Sequence, residues 1–165
     1  MKLFLTIVVF FSLTSCSNIN FLLETKDQSN FLKNKTAIYI EGWDNPVLRD
    51  VLFAKIGETK KRVFLLTANV NEKQTKRSVS ENQVAQKIDY RITINYSLRH
   101  AKEKCPIITN KQLSSFSFTP KSSGYNFASD VLLQNLYEEA VLNNVNNFIS
   151  FASNKLESYK CLDEN

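Results

Sequence analysis

The chain of 165 residues is long enough to form one domain with a modest hydrophobic core. It carries 21 basic and 16 acidic side chains, and a net charge of +5 is by itself only a weak indication of phosphate-bearing partners. Three glycines and three prolines exclude collagen-like and proline-rich architectures, and no internal repeat is visible.

Residues 1–15 have the pattern of a cleaved signal peptide. Lys2 precedes an apolar block at residues 3–11, which is about half of the ~20 residues that a membrane-spanning helix needs. The block is followed by Leu13-Thr14-Ser15-Cys16, which resembles the lipobox of bacterial lipoproteins: a branched apolar residue, two small residues and a cysteine. An ordinary signal peptide with an incidental cysteine is the alternative interpretation.

The lipobox predicts cleavage before Cys16, a diacylglycerol on its thiol and an acyl chain on its new terminal amine. Several acyl chains, at ~0.8 kcal/mol per buried methylene, would anchor the chain firmly. Ser17 stands where an aspartate often retains such proteins at the inner membrane, so the outer membrane is expected. Residues 16–35 are mostly polar and predict a lipidated, partly disordered tether.

Residues 36–165 are predicted to form a single domain. Residues 36–41 are β-branched and aromatic and indicate a strand, and Asp44-Asn45-Pro46 then supplies a helix start. Apolar residues recur at helical spacing from position 47 to position 56, and Gly57 is placed to end the helix.

Three further strands are predicted in the middle of the chain. Residues 63–70 alternate in polarity and indicate the second strand, whereas residues 71–83 are polar and indicate a loop or a frayed strand end. The alternation is clearest at residues 89–99, and residues 107–118 place Phe116 and Phe118 on one face of a further strand. These last two strands would form a long antiparallel hairpin.

An apolar stripe from residue 127 to about residue 159 predicts a long final helix. The predicted fold class is therefore α+β: a four-stranded, mostly antiparallel sheet with two helices packed on one face, in the order β-α-β-β-β-α.

Two cysteines remain besides the lipidation site. Cys105 opens the last predicted strand and Cys161 follows the last helix, so an antiparallel return of that helix would bring both to one end of the domain. A disulfide and two free thiols both stay open, and a Cα separation beyond about 7 Å would exclude the bond.

The sequence offers no recognisable catalytic pattern. His100, the only histidine, ends a strand, where a solvated side chain is the common case. Glu138 and Glu139 are adjacent in a helix and point in different directions, and Trp43 is typical of a packing residue. We expect no enzymatic activity, no metal and no cofactor other than the lipid on Cys16.

The order of these features resembles the LPS-assembly lipoproteins, the LptE family of Gram-negative outer membranes. The resemblance rests on the lipobox and on three stretches: "AIYIEGWDNPVLRDVLFAKIG", "QKIDYRITINYSLRH" and "FSFTPKSSGYNFASDVLLQNLYEEAVLNNVNNFIS". It implies an outer-membrane subunit of the lipopolysaccharide translocon that binds lipopolysaccharide, stands as a plug inside the β-barrel partner LptD and supports that barrel. We expect no nucleic-acid partner.

The resemblance also suggests which basic residues contact lipopolysaccharide. The nearest matches are Lys76, Arg77 and Lys111, and Arg91 and Arg99 lie on the polar face of the tyrosine-containing strand. For each of them, a solvated surface charge is the alternative.

The sequence leaves two other functions open. One is a free-standing periplasmic lipid-binding or structural lipoprotein without a barrel partner. The other is a lipid-anchored hydrolase, which the missing catalytic groups disfavour.

Overall fold

The computed structural model describes residues 30–42, 45–59, 61–79, 85–120 and 127–155. They form, in chain order, β1 (Thr36–Glu41), α1 (Pro46–Ile56), β2 (Phe64–Val79), β3 (Ala85–His100), β4 (Pro106–Phe118) and α2 (Phe127–Lys155). The predicted element order and fold class are confirmed. Among the described residues, neither helix has an apolar stretch long enough to span a membrane.

The strands lie side by side in the order in which they occur in the chain. β1 and β2 are parallel and are connected through α1, whereas β2, β3 and β4 form an antiparallel meander. The β2–β3 ladder runs from the Phe64–His100 pair to the Val79–Ala85 pair. The sheet is thus mixed but mostly antiparallel.

The prediction of a loop or frayed end at residues 71–83 is wrong for residues 71–79, which belong to β2. Pairing with β3 satisfies the backbone groups of this segment, so its polar side chains do not prevent strand formation. This part of β2 can remain polar because many of its side chains are exposed at this end of the sheet.

Alternation along the strands divides the side chains between two faces of the sheet. Five even-numbered positions of β3 are buried: Tyr90, Ile92, Ile94, Tyr96 and Leu98. All of them except Tyr90 belong to the apolar core that also includes residues of both helices. On β4, Phe118 is buried and Phe116 is half-buried on this same face, as the sequence predicts. Both helices pack here and form one core with the sheet.

α1 contributes Leu48, Leu52 and Ile56 to this core, and α2 contributes Val141 and Phe148 among others. Each fully buried side chain of this size contributes roughly 1.5–3 kcal/mol relative to an exposed one. The helical layer is therefore fixed on one side of the sheet by apolar burial.

A polar network lies inside the core where β3, β4 and α2 meet. The Tyr96 ring stacks on Phe148 with a centroid distance of 4.1 Å. The Tyr96 hydroxyl donates to Asn144 Oδ1 at 3.0 Å, and Asn144 Nδ2 donates to Ser114 Oγ at 3.4 Å. Burial raises the pKa of Tyr96 far above that of an exposed phenol, so its hydroxyl remains a donor.

Asn45 links the start of α1 to α2. Its Oδ1 accepts from the Leu48 backbone N–H at 2.9 Å, and its Nδ2 donates to the Tyr137 hydroxyl at 2.6 Å. Burial raises the pKa of Tyr137 to about 12. The predicted capping residue thus also holds the two helices together.

The domain begins earlier in the chain than the sequence predicts. Leu32 is fully buried in the core, Asn34 N–H donates to Ile56 O at 2.7 Å, and Asn30 Nδ2 donates to Lys55 O at 2.8 Å. Residues 30–35, assigned above to the tether, therefore pack against the C-terminal end of α1. The signal peptide, Cys16 and the rest of the predicted tether lie outside the described residues, as do residues 156–159 of the predicted final helix.

Candidate functional site

The face of the sheet opposite the helices is mostly polar, although Leu113 is exposed on it. Its β3 positions are occupied by Arg91, Thr93, Asn95 and Ser97, and in the described part of the chain no helix packs against it. Since alternation gives most of the apolar side chains to the other face, this face is available to a polar ligand or partner.

Four basic side chains cluster at one end of this face, in cross-strand pairs of like charge. Lys73 on β2 lies opposite Arg91 on β3, and Arg77 lies opposite Lys87. All four side chains are exposed, and together we call them the basic sheet face. Like charges directly opposite one another destabilise a sheet by a few tenths to about 1 kcal/mol, so this arrangement favours a nearby anion.

Asp89 is the acidic residue within this cluster. Its carboxylate forms an ion pair with Arg77 and accepts a hydrogen bond from Ser117 Oγ at 2.7 Å. This hydrogen bond, and to a lesser extent the charges of Arg77 and Lys87, lower the pKa of Asp89. One carboxylate faces four cations, so the basic sheet face keeps a surplus of positive charge.

A surface cavity of about 480 Å³ opens between these side chains. Its polar lining includes Lys73, Arg77 and Arg91, the hydroxyls of Thr75, Ser115 and Ser117, and the carboxylate of Asp89. Guanidinium, ammonium and hydroxyl groups donate hydrogen bonds, and the charged ones pair strongly with phosphate or carboxylate oxygens. The arrangement is suited to holding an anionic group at the surface of the sheet.

The structure brings together only part of the basic set suggested by the sequence. Arg77 and Arg91 lie in the basic sheet face, and Lys111 lies on the same side of the sheet opposite Asn95. Asn95 follows Arg91 by four residues, so Lys111 is about 13 Å along the strands from Arg91. Lys76 has the opposite parity and pairs with Ile88, so it lies on the side of the sheet that carries the helices.

Lys73 and Lys87 belong to the cluster but are not among the basic residues predicted from the sequence. The spacing in the sequence indicates part of this grouping. Lys73 and Arg77 are four residues apart, as are Lys87 and Arg91, so each pair shares one face of its strand. Because residues 71–83 are predicted as a loop or a frayed strand end, the sequence does not assign Lys73 and Arg77 to one strand face.

Two further residues at the end of β3, Arg99 and His100, have structural contacts. Arg99 Nη1 donates to the Glu103 carbonyl at 2.8 Å and closes the turn after β3. His100 is half-buried, with its ring centroid 4.9 Å from that of Phe64. Trp43 lies outside the described residues, and Glu138 and Glu139 line a separate groove between the helices.

Cys105 is disulfide-bonded. The other two cysteines of the chain, Cys16 and Cys161, lie outside the described residues, so the Cys105–Cys161 pairing stays a prediction.

No protein-family model matches the sequence, and no curated protein matches it with significance. Solved structures do match. A candidate lipoprotein from Caulobacter crescentus CB15 matches with a TM-score of 0.58 and 19% identity, over 80% of this chain and 96% of that one. Rare lipoprotein B from Shewanella oneidensis matches with a TM-score of 0.53 and 10% identity, over 75% of this chain and 98% of that one. At these identities the likeness concerns the fold, and the chain is similar in fold to both proteins.

Proposed function

We propose that this protein is a non-enzymatic outer-membrane lipoprotein, anchored through acyl chains on Cys16, whose basic sheet face binds the phosphate groups of lipopolysaccharide. The observation that carries the proposal is the pairing of Lys73 with Arg91 and of Arg77 with Lys87 on an exposed sheet face. Phosphates of lipid A would add to the compensation that Asp89 provides, and they would accept charge-assisted hydrogen bonds from the four cations.

Anchoring and binding fit together in this proposal. The lipobox predicts attachment to the inner leaflet of the outer membrane, and the fold similarity to rare lipoprotein B supports a lipoprotein. The resemblance to the LptE family adds the β-barrel LptD as partner, with this chain as its plug and accessory subunit. A polar sheet face suits the polar interior of a large barrel.

The full-length lipidated protein, purified in detergent, provides the test of lipopolysaccharide binding. We expect Lys73→Gln/Arg91→Gln to weaken binding about tenfold at low ionic strength, which corresponds to a loss of about 1.4 kcal/mol. Salt should reduce the difference, because exposed charges are screened.

The matched control is Lys33→Gln/Lys61→Gln, which removes two exposed lysines outside the basic sheet face. This control should bind like the wild type, although it has the same net charge as the test variant. Equal weakening of both variants would reduce the effect to net charge and would contradict the assigned site.

The barrel partnership is tested separately. Mild-detergent purification of LptD from the host envelope should recover this chain in equal amounts. If the chain binds lipopolysaccharide but never co-purifies with the barrel, it is a free-standing lipid-binding lipoprotein instead.

A further inference from the structure

A second surface feature lies on the helical layer, on the opposite side of the molecule from the basic sheet face. A groove of about 520 Å³ runs between α1 and α2. On α1 it is lined by positions 47, 50, 51 and 54, and on α2 by positions 135, 138, 139 and 142. Each set has the i, i+3, i+4, i+7 spacing of one helix face, so the groove follows both helices for about two turns.

The floor of the groove is apolar, and its charged positions are all acidic. Val47, Val51 and Leu142 supply apolar surface. Asp50, Glu138 and Glu139 supply three carboxylates, and no lysine or arginine is among the described residues that line it, although the chain as a whole has a net charge of +5. The groove is thus acidic, whereas the basic sheet face lies on the other side of the domain.

We propose that this groove binds an amphipathic helix of a partner protein that presents an apolar stripe flanked by lysine or arginine. A helix placed between two helices buries its apolar side chains against the floor, while its basic side chains reach the carboxylates on either side. The carboxylates select for positive charge at this position and disfavour an acidic segment.

The chain's own terminal segments beyond the described domain do not have this chemistry. Residues 16–29 contain two acidic residues and one lysine, and residues 156–165 contain three acidic residues and one lysine. Both segments are net acidic, so the carboxylates of the groove would repel them. Charge complementarity therefore favours a different protein as the occupant.

Site-specific photo-crosslinking of the full-length protein in its host cells tests this proposal. A benzoylphenylalanine at Val51 places the probe on the floor of the groove, and one at Phe53 places it on an exposed part of α1 outside the groove. We expect an adduct from position 51 that is absent from position 53. Sequencing of the crosslinked peptide should identify a basic amphipathic helix.

Charge variants of the position-51 protein provide the second readout. Asp50→Asn/Glu139→Gln should lower the adduct yield about fivefold, whereas Glu41→Gln/Glu58→Gln, which removes two exposed carboxylates elsewhere, should leave it unchanged. Urea denaturation of each variant checks that the fold is retained.

Four results would overturn the proposal: no adduct at position 51, an equal adduct at position 53, a crosslinked peptide that is acidic or non-helical, or a crosslink to a second copy of this chain. None of them bears on lipopolysaccharide binding, because the basic sheet face and the groove lie on opposite sides of the domain.

Discussion

At the scale of single residues, neighbours in a strand have separate roles because successive side chains point to opposite faces of the sheet. Arg77 joins the basic sheet face, whereas Lys76 lies on the side that carries the helices. Proximity in the sequence therefore groups Lys76 with Arg77, although their side chains lie on opposite faces of the sheet. It does not reveal the pairing of Lys73 with Arg91, because that pair joins two strands.

The hydroxyl of Tyr96 is a polar group in the core whose contribution to stability can be measured by one substitution. Tyr96→Phe keeps the ring on Phe148 but removes the hydrogen bond to Asn144 Oδ1. Because this leaves a buried acceptor without its donor, we expect the free energy of unfolding to fall by about 1–3 kcal/mol, measured by urea denaturation. Tyr39→Phe is the control, since Tyr39 is 46% exposed and its substitution should change stability little. Equal effects of the two substitutions would show that the Asn144 contact contributes nothing.

At the scale of elements, local signals placed α1 accurately. Asn45 caps its first turn, Pro46 occupies the first helical position, and Gly57 follows its end with φ +79°, a conformation that favours glycine. In the longer α2, the predicted stripe is only partly buried: Val131 and Leu132 are substantially exposed, whereas Ala140, Val145 and Phe148 are buried. Periodicity predicts an apolar face but not which of its turns reach the core.

The end of α1 gives a prediction with an internal control. Gly57→Ala requires φ +79° with ψ 167°, a combination essentially restricted to glycine, so we expect a loss of about 2–3 kcal/mol in unfolding free energy. The Asn34 Oδ1 atom that the added Cβ would meet is the end of an exposed side chain and can move away. Gly42 also has a positive φ, but its added Cβ would meet only Asn69 Nδ2 at 3.6 Å. Gly42→Ala should therefore lose only about 1 kcal/mol. Chemical denaturation of both variants measures the two losses, and equal losses would contradict an additional backbone cost at Gly57.

At the scale of the whole molecule, a disulfide is expected to join distant parts of the chain. Cys105 is disulfide-bonded, and lipidation of Cys16 would leave Cys161 as its partner. Such a bond closes a loop of roughly 55 residues and is expected to stabilise the domain by about 4 kcal/mol.

Non-reducing peptide mapping of the lipidated protein should recover the Cys105 and Cys161 peptides as one species. Cys161→Ser should lower the Tm as much as Cys105→Ser does, and the double variant should be no less stable than either, since all three lack the same bond. A linked peptide containing Cys16 instead would contradict both this pairing and the lipidation of Cys16.

The sequence by itself determined the local features of this protein. The period of two in its strands, the period of 3.6 in its helices and the caps of α1 predicted the element order and the α+β class, because these depend on interactions between residues close in the chain. The tertiary structure decided which strands pair and in what register, and hence that four cations share one face and three carboxylates share a groove. These juxtapositions join residues from separate elements, and local periodicity carries no information about register between elements.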